Sequence, residues 1–209
     1  MHAFIEKKEP NNINLDEIRD VKAFIRKSEA IAGARYAGLK DKNIHFMALP
    51  FYETGKRVKS PVTEKDVELT MELLKEVKPH QVFAAGDFAD PHGTHIVCFR
   101  IILEAMKRLR KTESWTKDCW LWMYRGAWQE FDVHEIEMAV PLSPMEVQRK
   151  RHAIYQHQSQ KDRPVFPGDD EREFWVRAEE RNRETAESYH SLGLANYEAM
   201  EAFVKWKFD

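Results

Sequence analysis

The stretch QVFAAGDFADPHGTHIVCFRIILEAMKRL, residues 81–109, decides the fold class. It opens with a short apolar run that lies between Pro79 and Gly86, which is typical of a buried strand. From Ile96 to Leu109 the apolar residues recur with helical spacing. A polar turn, residues 87–95, joins the two. A strand that passes through such a turn into an amphipathic helix is the repeating unit of α/β proteins.

The segments around this stretch repeat the alternation of strand and helix. Helices are predicted from Asn14 to Gly38, from Thr63 to Pro79, from Ser143 to about residue 157, and over 169–192. Strands are predicted at 43–49, 119–124 and 135–140, whereas 197–208 fits either a helix or a strand. We therefore predict an α/β domain in which a mostly parallel sheet carries helices on both faces.

Composition excludes several classes of function. The 209 residues suffice for one sizeable domain, with 43% hydrophobic and 33% charged residues. The net charge of -2 disfavours nucleic acid and anionic membranes as partners. Two cysteines cannot build a disulfide framework, no apolar run approaches the ~20 residues of a membrane span, and the N-terminus has no signal-peptide core. We expect a cytoplasmic protein without membrane or nucleic-acid partners.

Two histidines in the polar turn are the main candidates for chemistry. His92 and His95 stand three apart at a predicted helix start, so both imidazoles can face one point. They can share a metal ion, or one can bind it while the other contacts substrate. Asp87 and Asp90 can orient them as hydrogen-bond acceptors. The same pattern also fits a surface pair beside a plain turn and N-cap, and the spacing alone leaves both interpretations open.

Other polar residues are weaker candidates. Tyr52 and Glu53 follow a predicted strand in a loop, where substrate contacts are common. Arg26 and Glu29 fit a solvated ion pair or a substrate clamp, and His157 fits a helix cap or a substrate ligand. Four aromatic residues either belong to the core or stack on a sugar ring: Trp120, Trp122, Tyr124 and Trp128.

Several segments together resemble the LmbE-like, or PIG-L, family of zinc-dependent N-deacetylases. The matching segments follow the family's order: 25–30, 44–53, 90–95 and 149–160. Three stretches look closer still to a bacterial subgroup in which this domain follows a glucosamine-6-phosphate deaminase-like domain: 49–55, 85–95 and 124–130. The match spans most of residues 20–205 and implies a Rossmann-like sheet.

The resemblance also implies roles for single residues. His95 matches a metal ligand, and His92 matches a histidine that stabilises the oxyanion, with Asp90 in the same catalytic turn. Gly93 and Thr94 depart from the proline and aspartate that the family has there. The implied substrate-binding residues are Arg26, Tyr52, Glu53, Arg125 and His157. In a complete domain, a zinc-bound water deprotonated by an aspartate attacks an N-acetyl carbonyl.

One motif of the family is absent. No His-Pro-Asp-Asp occurs in the 209 residues, although it would supply two zinc ligands and the general base. Because a catalytic zinc needs three protein ligands, we expect this chain alone to bind zinc weakly or not at all and to be inactive or nearly so. We expect one N-terminally incomplete deacetylase domain over 1–209, with 1–12 irregular and its first strand missing.

The expected partners follow from that interpretation. They are an amino-sugar substrate, an upstream deaminase-like domain of a parent protein, and a second copy of the chain in a homo-oligomer. The alternative is a non-catalytic sugar-binding or regulatory module of a glucosamine-6-phosphate deaminase-like or isomerase-like protein. Deaminase chemistry itself is not favoured, because the chain has no Gly-rich phosphate loop.

Overall fold

The structure is a computed structural model that describes residues 15–52, 60–88, 93–126, 129–161 and 172–208. Its helices are α1 Asp16–Tyr36, α2 Glu64–Val77, α3 Thr94–Thr112, α4 Pro144–Tyr155 and α5 Phe174–Ser191. Its strands are β1 Gln81–Ala85, β2 Trp120–Tyr124, β3 Met138–Leu142 and β4 Ala199–Lys205. Two 3-10 turns, Asp41–Asn43 and Ser114–Asp118, complete the described elements. No helix in these ranges is long and apolar enough to cross a membrane.

The four strands form one open sheet in the order β1-β2-β4-β3. β1 and β2 are parallel, whereas β4 runs opposite to both β2 and β3. The predicted α/β class, an open sheet flanked by helices, is confirmed. The pairing within the described sheet is mixed, with one parallel and two antiparallel pairs, because β4 inserts between β2 and β3 in the reverse direction.

Helices lie on both faces of this sheet. On one face, Phe99 of α3 packs in the core with Leu121 of β2, and Val204 of β4 lies against the same cluster. Side chains alternate along a strand, so Glu201 of β4 points to the other face. There it bonds to Lys150 of α4 and Arg181 of α5. A second core cluster lies between α2 and α3 and includes Phe51, Val67, Leu74, Ile101 and Met106.

Most predicted helices are confirmed because their end signals are local. Thr63 and Asp66 form a reciprocal capping box at the start of α2, and Ser143 and Glu146 form another at α4. Helix α1 ends before Gly38, whose φ of 100° is the left-handed conformation that glycine tolerates. The ambiguous C-terminal segment is the strand β4.

Two strand predictions need correction. Residues 43–49 are not a strand, since a 3-10 turn is followed by irregular backbone in which Ala48 has a φ of 47°. Leu49 at the end of this segment packs against the α2–α3 cluster, whereas Phe46 is 43% exposed. The strand predicted at 135–140 begins only at Met138, because Glu135 closes a turn with Asp132. Residues 1–12 lie outside the described ranges.

Candidate functional site

The turn after β1 and the loop after β2 are joined at one end of the sheet. The Gly86 N–H donates to the Tyr124 carbonyl at 2.8 Å, and the Asp87 carboxylate accepts from the Gly126 N–H at 3.1 Å. Asp87 is fully buried. Because β1 and β2 are parallel, their carboxyl ends meet here, where ligands bind in open α/β sheets. The Asp87–Gly126 bond therefore fixes two candidate ligand-binding segments to each other.

Close packing requires a glycine at the start of this turn. A Cβ on Gly86 would lie 2.7 Å from the Cβ of Met123 on β2, closer than carbon atoms pack. The turn can therefore lie directly against the neighbouring strand only because residue 86 has no side chain.

His95 is the predicted metal ligand that the structure describes. It is the second residue of α3, and its side chain is half-buried. Gly93 precedes the helix with a φ of 64°, so the chain turns sharply into α3. The predicted catalytic residues Asp90 and His92 lie outside the described residues, and a site shared by His92 and His95 stays a prediction.

Arg125 lies in the loop that Asp87 holds. Its guanidinium stacks over the Phe131 ring at 4.3 Å and lies 5.9 Å from the Phe88 ring. Phe88 in turn contacts Phe99 of α3 edge to face, at 5.4 Å between ring centroids. Aromatic contacts therefore restrict the direction of this half-buried cation. Among the predicted substrate-binding residues that the structure describes, Arg125 contacts Phe88 in the turn leading to His95.

A second group of predicted residues lies between α1 and the turn after α4. The Glu29 carboxylate accepts from the Ser159 N–H at 2.6 Å and from the Ser159 hydroxyl at 2.7 Å. A Cβ on Gly33 would lie 3.1 Å from Nε2 of His157, so this histidine packs directly on α1. Arg26 is half-buried one turn before Glu29. These contacts hold His157 against α1, the helix that carries Arg26.

Tyr52 lies in a third position. Its ring is 40% exposed and meets the buried Phe51 edge to face, at 6.1 Å between centroids. The Phe51 N–H donates to Asp66 at the start of α2, which fixes this part of the chain. Glu53 lies outside the described residues. Tyr52 is therefore available to a ligand, but its described contacts lie beside α2.

The sequence analysis missed a group of one buried and three partly buried charges, which we call the charge quartet: Lys150, Arg181, Glu130 and Glu201. Lys150 pairs with Glu201, and Arg181 pairs with both Glu130 and Glu201. Arg181 is only 5% exposed. Two positive and two negative groups balance there, which offsets part of the cost of burying them. A signal was present in the helical spacing of Ala178, Arg181 and Thr185, which places polar residues on the buried face of α5.

The surroundings of the charge quartet shift the pKa values of two of its members, Lys150 and Glu201. Burial lowers the pKa of the Lys150 ammonium below its ordinary value, although Glu201 opposes that shift. Burial raises the pKa of Glu201, but Lys150 and Arg181 outweigh it, so the net shift is downward. Glu130 follows Arg125 in the loop after β2, and its pair with Arg181 ties that loop to α5. The quartet thus links the loop after β2 to α5 and, through Glu201 and Lys150, to β4 and α4.

The described residues do not form a zinc site by themselves. Within the described ranges, no three histidine, cysteine, aspartate or glutamate residues are grouped so that they could hold a metal ion. A catalytic zinc needs three protein ligands, and His95 supplies one. Zinc stays a prediction that depends on residues beyond those described.

Comparisons with known proteins identify a curated relative and a solved structure of similar fold. No protein-family model matches it. A curated bacterial relative does match. Over 208 residues, the chain is 51% identical to a glucosamine-6-phosphate deaminase-like protein of Bacteroides thetaiotaomicron. The match covers 99% of this chain and 31% of the relative, so the chain spans less than a third of the relative's length.

A solved structure supports the fold alone. The 4-carboxy-2-hydroxymuconate hydratase GalB from Pseudomonas putida superposes with a TM-score of 0.60 at 14% sequence identity. The match covers 98% of this chain and 81% of the hydratase chain. At this identity, the likeness concerns the arrangement of helices and strands and not the reaction.

Proposed function

We propose that this chain is the C-terminal part of a zinc-dependent N-deacetylase domain that acts on N-acetylglucosamine-type amino sugars. The proposal is supported above all by the hydrogen bond between Asp87 and Gly126. That bond joins the turn leading to His95 with the loop carrying Arg125, at the carboxyl ends of two parallel strands. The resemblance to LmbE-like deacetylases assigns a metal ligand to His95 and a substrate contact to Arg125.

In this proposal, the chain's own residues bind and orient the substrate and supply one metal ligand. The planar guanidinium of Arg125 has several donors in one plane, which suits a phosphate group or the hydroxyl oxygens of a sugar. The relative's name, glucosamine-6-phosphate deaminase-like, points to the same class of ligand. His95 contributes one imidazole, while the remaining metal ligands come from residues beyond those described.

Zinc titration by calorimetry tests the metal part of this proposal. We would titrate this chain, its His95→Ala variant, the full-length Bacteroides thetaiotaomicron relative, and that relative with the aligned histidine changed to alanine. The matched control is His134→Ala, which removes an exposed histidine far from the β1 turn in sequence. We expect tight binding by the full-length relative, lost on substitution of the aligned histidine, and weak binding by this chain. Tight binding that survives the substitution would exclude His95 as a ligand.

A second candidate is a non-catalytic sugar-binding module of a deaminase-like protein. The absence of a grouped three-ligand set among the described residues favours it, as does the relative's name. The two candidates differ in acetate release. The deacetylase proposal expects the zinc-loaded relative to release acetate from N-acetylglucosamine 6-phosphate, whereas a binding module binds the sugar without releasing acetate.

The Arg125→Ala variant tests substrate binding, whether the chain belongs to a deacetylase or to a sugar-binding module. The change is made at the aligned position of the full-length relative. We expect it to weaken binding of N-acetylglucosamine 6-phosphate by about tenfold or more, because a charge-assisted hydrogen bond is lost. The matched control is Arg100→Ala on the exposed side of α3. Equal affinities for both variants would remove Arg125 from the site.

A further inference from the structure

The loop after β2 is held at both of its ends. At its start, the Gly126 N–H donates to the buried Asp87 carboxylate at 3.1 Å. At its end, the Glu130 carboxylate pairs with Arg181 of α5. The two attachments come from different elements, since Asp87 belongs to the turn after β1 and α5 packs on β4. The loop is therefore fixed from two sides.

Glu130 uses its two carboxylate oxygens for different partners. One oxygen accepts from the Phe131 N–H at 2.9 Å. The other accepts from the Arg181 guanidinium and lies 3.2 Å from the Thr185 hydroxyl. Arg181 and Thr185 are both buried, so water competes little for these bonds. The carboxylate therefore connects α5 directly to the backbone of Phe131.

Phe131 in turn supports Arg125 at the other end of the loop. The Phe131 ring is buried and packs in the core cluster that includes Phe99 and Leu121. The guanidinium carbon of Arg125 lies 4.3 Å from the centroid of this ring. Among the described residues, Nε of Arg125 is buried and has no hydrogen-bond partner. The direction of the guanidinium therefore depends on aromatic contacts, of which the one with Phe131 is the closest described.

We propose that Glu130 is a positioning residue: held by Arg181, it places the Phe131 ring and thereby sets the direction of the Arg125 guanidinium. The inference rests on the proposed function, which makes Arg125 a substrate contact. Glu130 acts on the substrate only through Phe131 and Arg125. The alternative is that core packing alone holds Phe131, in which case Glu130 only balances the charge of Arg181.

The variant Glu130→Gln separates these two explanations. Glutamine has an NH2 group in place of one oxygen, and this group cannot accept a hydrogen bond, so the bond to Phe131 or the bond to Arg181 is lost. We would compare the proton signals of the Arg125 side chain by NMR in this chain and in the variant. Because the guanidinium lies over the Phe131 ring, the ring current shifts these signals upfield. We expect most of that upfield shift to be lost in Glu130→Gln.

The matched control is Glu179→Gln on the same helix. The Glu179 side chain is 6% exposed and forms a two-bond ion pair with Arg151 of α4, away from the loop after β2. We expect this control to retain the upfield shift of Arg125.

A second variant, Glu130→Asp, keeps the charge balance of the quartet but shortens the side chain, so its carboxylate cannot bond α5 and the Phe131 backbone together. We expect it to lose the upfield shift as well. An upfield shift that is unchanged in both Glu130 variants, or that is lost equally in Glu179→Gln, would overturn the proposal.

Calorimetry with N-acetylglucosamine 6-phosphate tests whether the effect of Glu130 passes through Arg125. We expect Glu130→Gln to weaken binding to this chain by about threefold to fivefold, because a misdirected guanidinium loses part of a charge-assisted hydrogen bond. In the Arg125→Ala background, the same change should weaken binding by less than about twofold. Equal weakening in both backgrounds would overturn the proposal. Equal affinities of this chain and Arg125→Ala would instead contradict the proposed function, while the NMR comparison still decides whether Glu130 positions Arg125.

Discussion

The change Gly86→Ala tests whether close packing between β1 and β2 holds the candidate site together. The new Cβ would lie 2.7 Å from Cβ and 3.2 Å from Cγ of Met123. Carbon atoms pack best at about 3.5–4.0 Å, so the two strands must separate by roughly 1 Å. Because the nearest atom is a Cβ, rotation of the Met123 side chain cannot relieve the contact. We expect the free energy of unfolding to fall by about 2 kcal/mol, within the range of overpacked cores.

Urea denaturation followed by circular dichroism measures this change. With a slope of about 2 kcal/mol per molar urea, the midpoint should fall by roughly 1 M. The control is Gly93→Asn, at a position with a φ of 64° where no atom of the described residues lies within 4 Å of an added Cβ. Asparagine tolerates that conformation, so this variant should change the free energy of unfolding by less than about 0.5 kcal/mol. A Gly86→Ala protein as stable as the parent would refute the packing argument.

Two further predictions concern the buried carboxylate of Asp66 and the partly buried carboxylate of Glu201. Asp66 is fully buried and accepts hydrogen bonds from two backbone N–H groups. Asp66→Ala should therefore lower the free energy of unfolding by about 2–3 kcal/mol. The control Glu146→Ala, in the exposed capping box of α4, should lower it by about 1 kcal/mol. Equal losses in urea denaturation would contradict the role of burial. The pKa of Glu201 lies below its ordinary value of 4.5, since Lys150 and Arg181 outweigh the effect of burial. Its contribution to stability is therefore present above about pH 4.5 and lost as the pH falls. Glu201→Gln should flatten the decline of the unfolding free energy between about pH 6 and about pH 3, and parallel pH profiles would contradict this assignment.

The helices could be predicted because their end signals lie within a few residues of each other. Ser143, Pro144 and Glu146 fix the start of α4 regardless of the rest of the chain. The prediction of a strand at 43–49 was wrong because an apolar run does not reveal whether a partner strand lies beside it. A strand is stabilised by pairing, and here Leu49 instead packs in the α2–α3 cluster.

The candidate site could be predicted only in part. His95 and the polar turn were visible because they follow directly on an apolar strand. The Asp87–Gly126 bond joins residues 39 positions apart, and the pair between Lys150 and Glu201 joins residues 51 positions apart. Residue types and local spacing do not encode which distant backbone groups meet. For the same reason, the sequence did not predict that His157 packs on α1 at Gly33.

The charge quartet has a consequence for how related sequences can diverge. Replacing one member would leave an unbalanced charge at a buried or partly buried position, which costs more than replacing an oppositely charged pair together. Single replacements should therefore be eliminated by selection, while paired ones persist. Homologues that lose Lys150 or Arg181 are expected to have lost Glu201 or Glu130 as well, so the four positions should covary across three separate elements and a loop.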